Sequence, residues 1–400
     1  FAESQHNATG DPLILWIHGG PGCSGLSAYL TENGPFTVTK GGNSLSINEY
    51  SWNKFANFLV IESPVGVGYS YADNGDLSNN DEAATEDNWQ ALKAFFTEHP
   101  SYLNNDLYII GESYGGVTVP LLSKKILQNQ QNLHMNLKGI GIGNGYVSKS
   151  LDTNTLVLYA YTHGMIDEKV WQKVSEKCCN GNTNECAFYS FTGWDFCSLF
   201  VQEAIQNIWF DGIYAMDIYL KCSNDNSMQY QKFLSEVKET MPKKPLSHLL
   251  YAINSLCWNE PRDSIYLNLD AVREALNVSN SVRQWYSCSG AVYDNYDQMT
   301  HETKTHYKDL ANAGIQMLFY SGDTDMVCNF LQGQQFVDGL GYSQTSPKSV
   351  YRVSGQVGGQ YAEYGQIRFA TVRGAGHIAA AEKPDVLYHL IDAFLKNMKP

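Results

Sequence analysis

The stretch Leu107-Tyr108-Ile109-Ile110-Gly111-Glu112-Ser113-Tyr114-Gly115-Gly116 decides the fold. Its first four residues form an apolar run that reads as a buried strand. Val117 to Leu127 reads as mostly helical. Between them lies Gly-x-Ser-x-Gly, a turn tight enough to hold its serine in a strained backbone conformation above a sheet. Strand, glycine-flanked serine and helix together make the pattern of a nucleophile elbow, with Ser113 as the candidate nucleophile.

Working outward, Leu13-Ile14-Leu15-Trp16-Ile17 and Phe58-Leu59-Val60-Ile61 are short apolar strands. Between Asp87 and His99, Trp89, Leu92, Phe95 and Phe96 recur at helical spacing. Gly139-Ile140-Gly141-Ile142-Gly143 is a glycine-rich strand. This alternation predicts a doubly wound parallel sheet covered on both faces, an α/β fold. Pro120 has no N–H to donate, so the helix behind Ser113 is expected to restart there. After Tyr146 the strand signals stop. Residues 147–262 hold six of the nine cysteines and read as short helices, with Met241-Pro242-Lys243-Lys244-Pro245 as an exposed loop. The sheet pattern returns in Ile315 to Tyr320, the next strand is Ile367 to Val372, and a last helix carries Val386, Leu387, Leu390, Ile391, Phe394 and Leu395 on one face. The chain thus divides into a core over 1–146, a helical insertion over 147–262 and a second part of the core over 263–400.

Composition narrows the function. The 400 residues carry a net charge of −14 and no basic cluster longer than Lys243-Lys244, which argues against a nucleic-acid partner. No run approaches the roughly 18 apolar residues of a membrane-spanning helix. Cys178, Cys179, Cys186 and Cys197 fall within 20 residues without the Cys-x-x-Cys knuckles of a zinc site, so disulfides and an oxidising compartment are expected, and no metal. Asn7-Ala8-Thr9 and Asn277-Val278-Ser279 are glycosylation triplets. Phe1 does not begin a signal peptide, so the chain reads as a mature or truncated form.

A serine hydroxyl needs a base, and the base needs an orienting carboxylate. Doubly wound hydrolases supply these from loops after strands, in the chain order Ser, Asp, His. Ser113, then Asp323 or Asp325, then His377 fit that order, each just past a strand. His377 follows Gly374-Ala375-Gly376, a tight loop rather than a core setting. The oxyanion donors are expected from Tyr114, the residue after the nucleophile, and from the glycine loop His18-Gly19-Gly20-Pro21-Gly22. No cofactor is called for.

Gly19-Gly20-Pro21-Gly22-Cys23-Ser24, Glu62 to Ser70, Gly111 to Gly116, Gly143-Asn144-Gly145 and Gly374 to His377 resemble the signature blocks of serine carboxypeptidases, over nearly the whole chain. The Cys-Cys-rich insertion is most similar to the cathepsin A branch. The resemblance implies an α/β-hydrolase fold with a disulfide-rich cap. It implies Asp325 as the triad acid, with Asp323 in support, and Gly20 and Tyr114 as oxyanion donors. It implies the pairs Cys23–Cys288, Cys178–Cys197, Cys179–Cys186 and Cys222–Cys257, with Cys328 left free beside the triad and open to thiol reagents. Peptides with a free C-terminus are the implied substrates, the lysosome, vacuole or exterior the implied location, and a homodimer the implied assembly. Glu32 and Glu112, with Gly19, match the positions that hold the substrate's terminal carboxylate. Two close carboxyls share a proton, so activity is expected to favour acid. The chain departs from the family at His18, where an asparagine is usual, and at Ile378-Ala379-Ala380, where Met-Val-Pro is usual. It also begins later than the family's domain does. Those departures leave two other readings: an esterase or acyltransferase using the same triad, and a protective scaffold for partner glycosidases.

Overall fold

The structure, a computed structural model, describes residues 1–210, 213–221 and 262–400. Eight strands form one sheet: β1 (Leu13–Ile17), β2 (Asn57–Val60), β3 (Leu107–Ser113), β4 (Leu137–Gly145), β5 (Gln316–Gly322), β6 (Ser346–Val353), β7 (Gln356–Tyr364) and β8 (Ile367–Val372). Their spatial order is β6-β7-β8-β5-β4-β3-β1-β2. From β2 to β8 all pairings are parallel, while β6 and β7 add an antiparallel hairpin at one edge. The sequence reading missed that hairpin and took Ile367 to Val372 as the strand directly after β5. The signal for it lies in Val353-Ser354-Gly355-Gln356: Ser354 and Gly355 have φ 49° and 79°, the two left-handed positions of a tight hairpin turn.

Period-two alternation sorts the side chains. Leu13, Leu15 and Ile17 of β1 pack on one face with Ile109, Ile140, Phe319 and Phe369. Ile14 and Trp16 pack on the other face with Phe58, Ile110 and Leu318. A strand covered on both faces must be apolar throughout, which is why these strands read as unbroken apolar runs. After α1 (Gly25–Thr31), α2 (Asp81–Glu98), α3 (Gly115–Gln128) and a helix over Lys304–Asn312 lie on the first face; Leu387, Leu390, Ile391 and Phe394 of the last helix, Pro384–Leu395, cover the second.

Helix α3 does not restart at Pro120; it runs unbroken with the proline inside. The carbonyl that Pro120 leaves without its helical donor is that of Gly116, four residues back. The Tyr307 hydroxyl, fully buried, donates to it at 2.7 Å.

Beyond Tyr146, α4 (Lys149–Thr162), α5 (Glu168–Cys178) and α6 (Phe196–Phe210) build a helical layer. Val157, Trp171, Val174, Phe188 and Phe200 pack there around the disulfides Cys178–Cys197 and Cys179–Cys186. The expected pair Cys222–Cys257 and the loop Met241 to Pro245 lie outside the described residues. No described helix is long and apolar enough to cross a membrane.

Candidate active site

β1 and β3 are neighbours whose onward connections run to opposite sides of the sheet. A crevice opens beyond the carboxyl ends of such a pair. Ser113 ends β3, and the His18 to Gly22 loop leaves β1. Ser113 has φ 55°, a left-handed conformation that serine rarely adopts and that a nucleophile elbow imposes. Gly19 has no room for a side chain, since a Cβ there would lie 2.5 Å from Ser113 Cβ. The main chain of the glycine loop is thereby brought directly against Ser113. Tyr114 begins the turn into α3. Its hydroxyl donates to Asp81 Oδ1 at 2.8 Å. Asp81 also accepts from the Tyr296 hydroxyl at 2.9 Å and from the amides of Met299 and Thr300 at 2.9 and 2.7 Å. This buried carboxylate at the start of α2 anchors the side chain of the residue next to Ser113. The sequence analysis missed it, although Asn80-Asp81-Glu82 is a helix start, with Asn80 accepting from Ala83.

Asp325, not Asp323, faces His377: Nδ1 of the imidazole lies 2.8 Å from Asp325 Oδ2. A carboxylate can only accept, so Nδ1 carries the proton and Nε2 is left as the basic nitrogen. Asp325 is fully buried and accepts from Asn144 Nδ2 at 2.8 Å and from the amides of Val327 and Cys328 at 2.8 and 3.2 Å. Burial pulls His377 down, but the Asp325 charge and hydrogen bond, with Glu112 and Glu382, hold it above the usual imidazole range. Asp323 accepts from the Gly374 amide at 2.6 Å and so braces the loop that carries His377. Asn144 was read only as part of a glycine block. Its φ of 41°, a conformation asparagine tolerates, points its amide at both Asp325 and the Gly322 N–H.

Segment 213–221 reaches the same loops. Ala215 and Met216 accept from the amides of Met326 and His377, and Ile218 donates to Thr324. At Gly376 a Cβ would lie 2.6 Å from Asp217 Cβ, so glycine is what lets the two chains touch.

Cys23–Cys288 joins the glycine loop to a segment 265 residues away, and Ser24 N–H to Ser287 O and Ser289 N–H to Gly22 O flank it. Cys328 is free and buried. Burial, then the charges of Asp325, Asp152 and Glu112, push its thiol well up. The expectation of ready reaction with thiol reagents is therefore revised, because the thiolate is the reactive form. The side chains of Asn7 and Asn277 are exposed.

Glu32 caps the C-terminus of the helix Gly25–Thr31, the unfavourable end for an anion. It is buried, and its Oε2 has no hydrogen-bond partner. Burial, then the charges of Glu112, Asp263 and Glu382, push its carboxyl well above the usual range. His18 Nδ1 lies 3.1 Å from Glu112 Oε1, without the alignment of a hydrogen bond. Atoms of His18, Glu32 and Glu112 lie within 4.8 Å of one another, immediately behind Ser113.

A serine at a strained elbow, a buried imidazole paired with a carboxylate, and a glycine loop against the nucleophile belong to a serine hydrolase of the α/β type. The chain belongs to the serine carboxypeptidase family, whose sequence profile matches residues 1–397. It is 35% identical over 420 residues to the lysosomal protective protein of Mus musculus, covering 100% of this chain and 87% of that protein. It is 35% identical over 410 residues to serine carboxypeptidase ctsa-4.1 of Caenorhabditis elegans, covering 99% and 86%. Kex1, a prohormone-processing carboxypeptidase from Saccharomyces cerevisiae, matches with a TM-score of 0.74 at 22% identity, over 97% of this chain and 83% of that one, a likeness of fold. The protein is a serine carboxypeptidase acting on peptides.

Proposed function

We propose that Ser113, Asp325 and His377 release single residues from peptide C-termini through an acyl-enzyme, with Glu32, Glu112, His18 and Gly19 holding the terminal carboxylate. The observation that carries this reading is the convergence of two buried carboxyls and an imidazole directly behind the nucleophile. His377 takes the Ser113 proton as the hydroxyl attacks the last peptide carbonyl, and Asp325 stabilises the resulting imidazolium. The amides of Gly20 and Tyr114 receive the oxyanion. His377 then returns the proton to the departing amine, and water repeats the sequence on the acyl-enzyme.

A neutral Glu32 donates a hydrogen bond to the anionic terminus, while full ionisation of the pair repels it, so acid favours binding of that terminus. His18, in the place of the family's asparagine, supplies a further donor. Relatives named as carboxypeptidases and the retained glutamates favour this reading over an esterase or acyltransferase. The similarity to a lysosomal protein supports a place in the lysosome or elsewhere in the secretory pathway, with Asn7 and Asn277 glycosylated. Matched peptides with free and amidated C-termini test the reading. Strong preference for the free acid, lost in Glu112→Ala, is expected; equal cleavage of both by the unaltered protein would overturn the clamp.

A further inference from the structure

The pocket behind Ser113 holds more uncompensated acid than a carboxylate-binding site requires. The charged groups acting on Glu32, namely Glu112, Asp263 and Glu382, are all acids. Glu32 and Glu112 are 5% and 3% exposed. Three polar atoms there make no hydrogen bond: Glu32 Oε2, His18 Nδ1 on a side chain that is nine-tenths buried, and the hydroxyl of buried Tyr320. That hydroxyl lies within electrostatic reach of both glutamates. A buried set of this kind wants a cation, because two desolvated carboxylates and an imidazole satisfy one another poorly.

The donor set says which cation. One imidazole nitrogen with two carboxylates suits zinc and its neighbours, whereas magnesium and calcium take oxygen ligands and keep their waters. Two ligands on tetrahedral zinc, each about 2.1 Å from the metal, stand about 3.4 Å apart. His18 Nδ1 and Glu112 Oε1 are already 3.1 Å apart, and the third ligand lies within 4.8 Å, a rotamer adjustment away. An asparagine in place of His18 would supply no such nitrogen.

We propose that His18, Glu32 and Glu112 bind a divalent transition-metal ion of the zinc class, and that this ion excludes the terminal carboxylate of a peptide. The binding half stands on the geometry. The exclusion half rests on the carboxylate clamp described above. The ion takes up the oxygens and the nitrogen with which the clamp would meet the substrate's terminus, and a peptide must displace it.

Zn2+ uptake by the full chain is measured without substrate, by dialysis with metal analysis and by titration calorimetry. About one Zn2+ per chain is expected, held at least about tenfold more weakly by His18→Asn and by Glu32→Gln, and not displaced by excess Mg2+. Zn2+ should lower turnover of free-acid peptides, with recovery on chelation and little effect in His18→Asn. Absence of saturable uptake, uptake undiminished in both variants, displacement by Mg2+, or turnover not lowered at saturating Zn2+ would each overturn the proposal. Equal cleavage of free and amidated peptides by the metal-free enzyme would instead overturn the clamp, which separates the two failures.

Discussion

At the scale of single residues, the proposed triad of Ser113, Asp325 and His377 leans on neighbours that lie outside the proton path. Asn144 bridges Asp325 Oδ2 and the Gly322 amide. Asn144→Ala removes a hydrogen bond to a buried carboxylate and leaves a left-handed residue without its reason. We expect kcat to fall about 10- to 100-fold with KM little changed, since a bond to a charged group contributes about 1.5–3 kcal/mol. Cys328 gives a second test. Its buried, protonated thiol should resist iodoacetamide in the native protein and react promptly in urea, measured by mass spectrometry. Ser113 and His377 stand out because their signals are local: glycines lie on both sides of Ser113 and ahead of His377, each just past a strand. Asp81 and Asn144 were not, since their partners lie in distant sequence, at Met299 and Asp325, and no spacing rule joins them.

At the scale of elements, a buried parallel strand announces itself as an unbroken apolar run, so β1, β3 and β5 could be read directly. The edge strand β6 could not, because its residues are mostly exposed and carry no such run. Pro120 was misjudged for a related reason. A proline's local cost is fixed, but whether a helix survives it depends on who takes the freed carbonyl. Here the taker is Tyr307, from a helix far along the chain. Tyr307→Phe keeps the ring and orphans the Gly116 carbonyl. It should cost about 1–3 kcal/mol in urea unfolding, and activity should weaken as well, since Gly116 lies in the first turn behind the nucleophile.

At the scale of the whole molecule, the buried acids set a pH dependence. Burial, with the Asp325 charge adding and a Gln332 hydrogen bond opposing, pushes Asp152 up to about 7. Burial, with Asp217 and Asp325 adding and the Gly376 amide opposing, pushes Glu382 up to about 7. Unfolded, both ionise near pH 4. Between about pH 4 and pH 7 the folded chain therefore binds more protons, and stability falls as pH rises through that window. Each group contributes on the order of 4 kcal/mol to that fall. Surface carboxylates such as Asp309 beside Lys124 act in the opposite sense, but they are exposed and screened. Tm should be higher at pH 5 than at pH 8, with the difference reduced in Asp152→Asn.

The bridge Cys23–Cys288 has a consequence for a chain made from its first residue to its last. The glycine loop and the serine leave the ribosome early, while the cysteine and the two backbone partners that fix the loop leave late. Until then the loop is placed only by the pairing of β1 with β3. The bond also forms only where thiols are oxidised. The order of synthesis thus delays completion of the glycine loop until Cys288 has emerged.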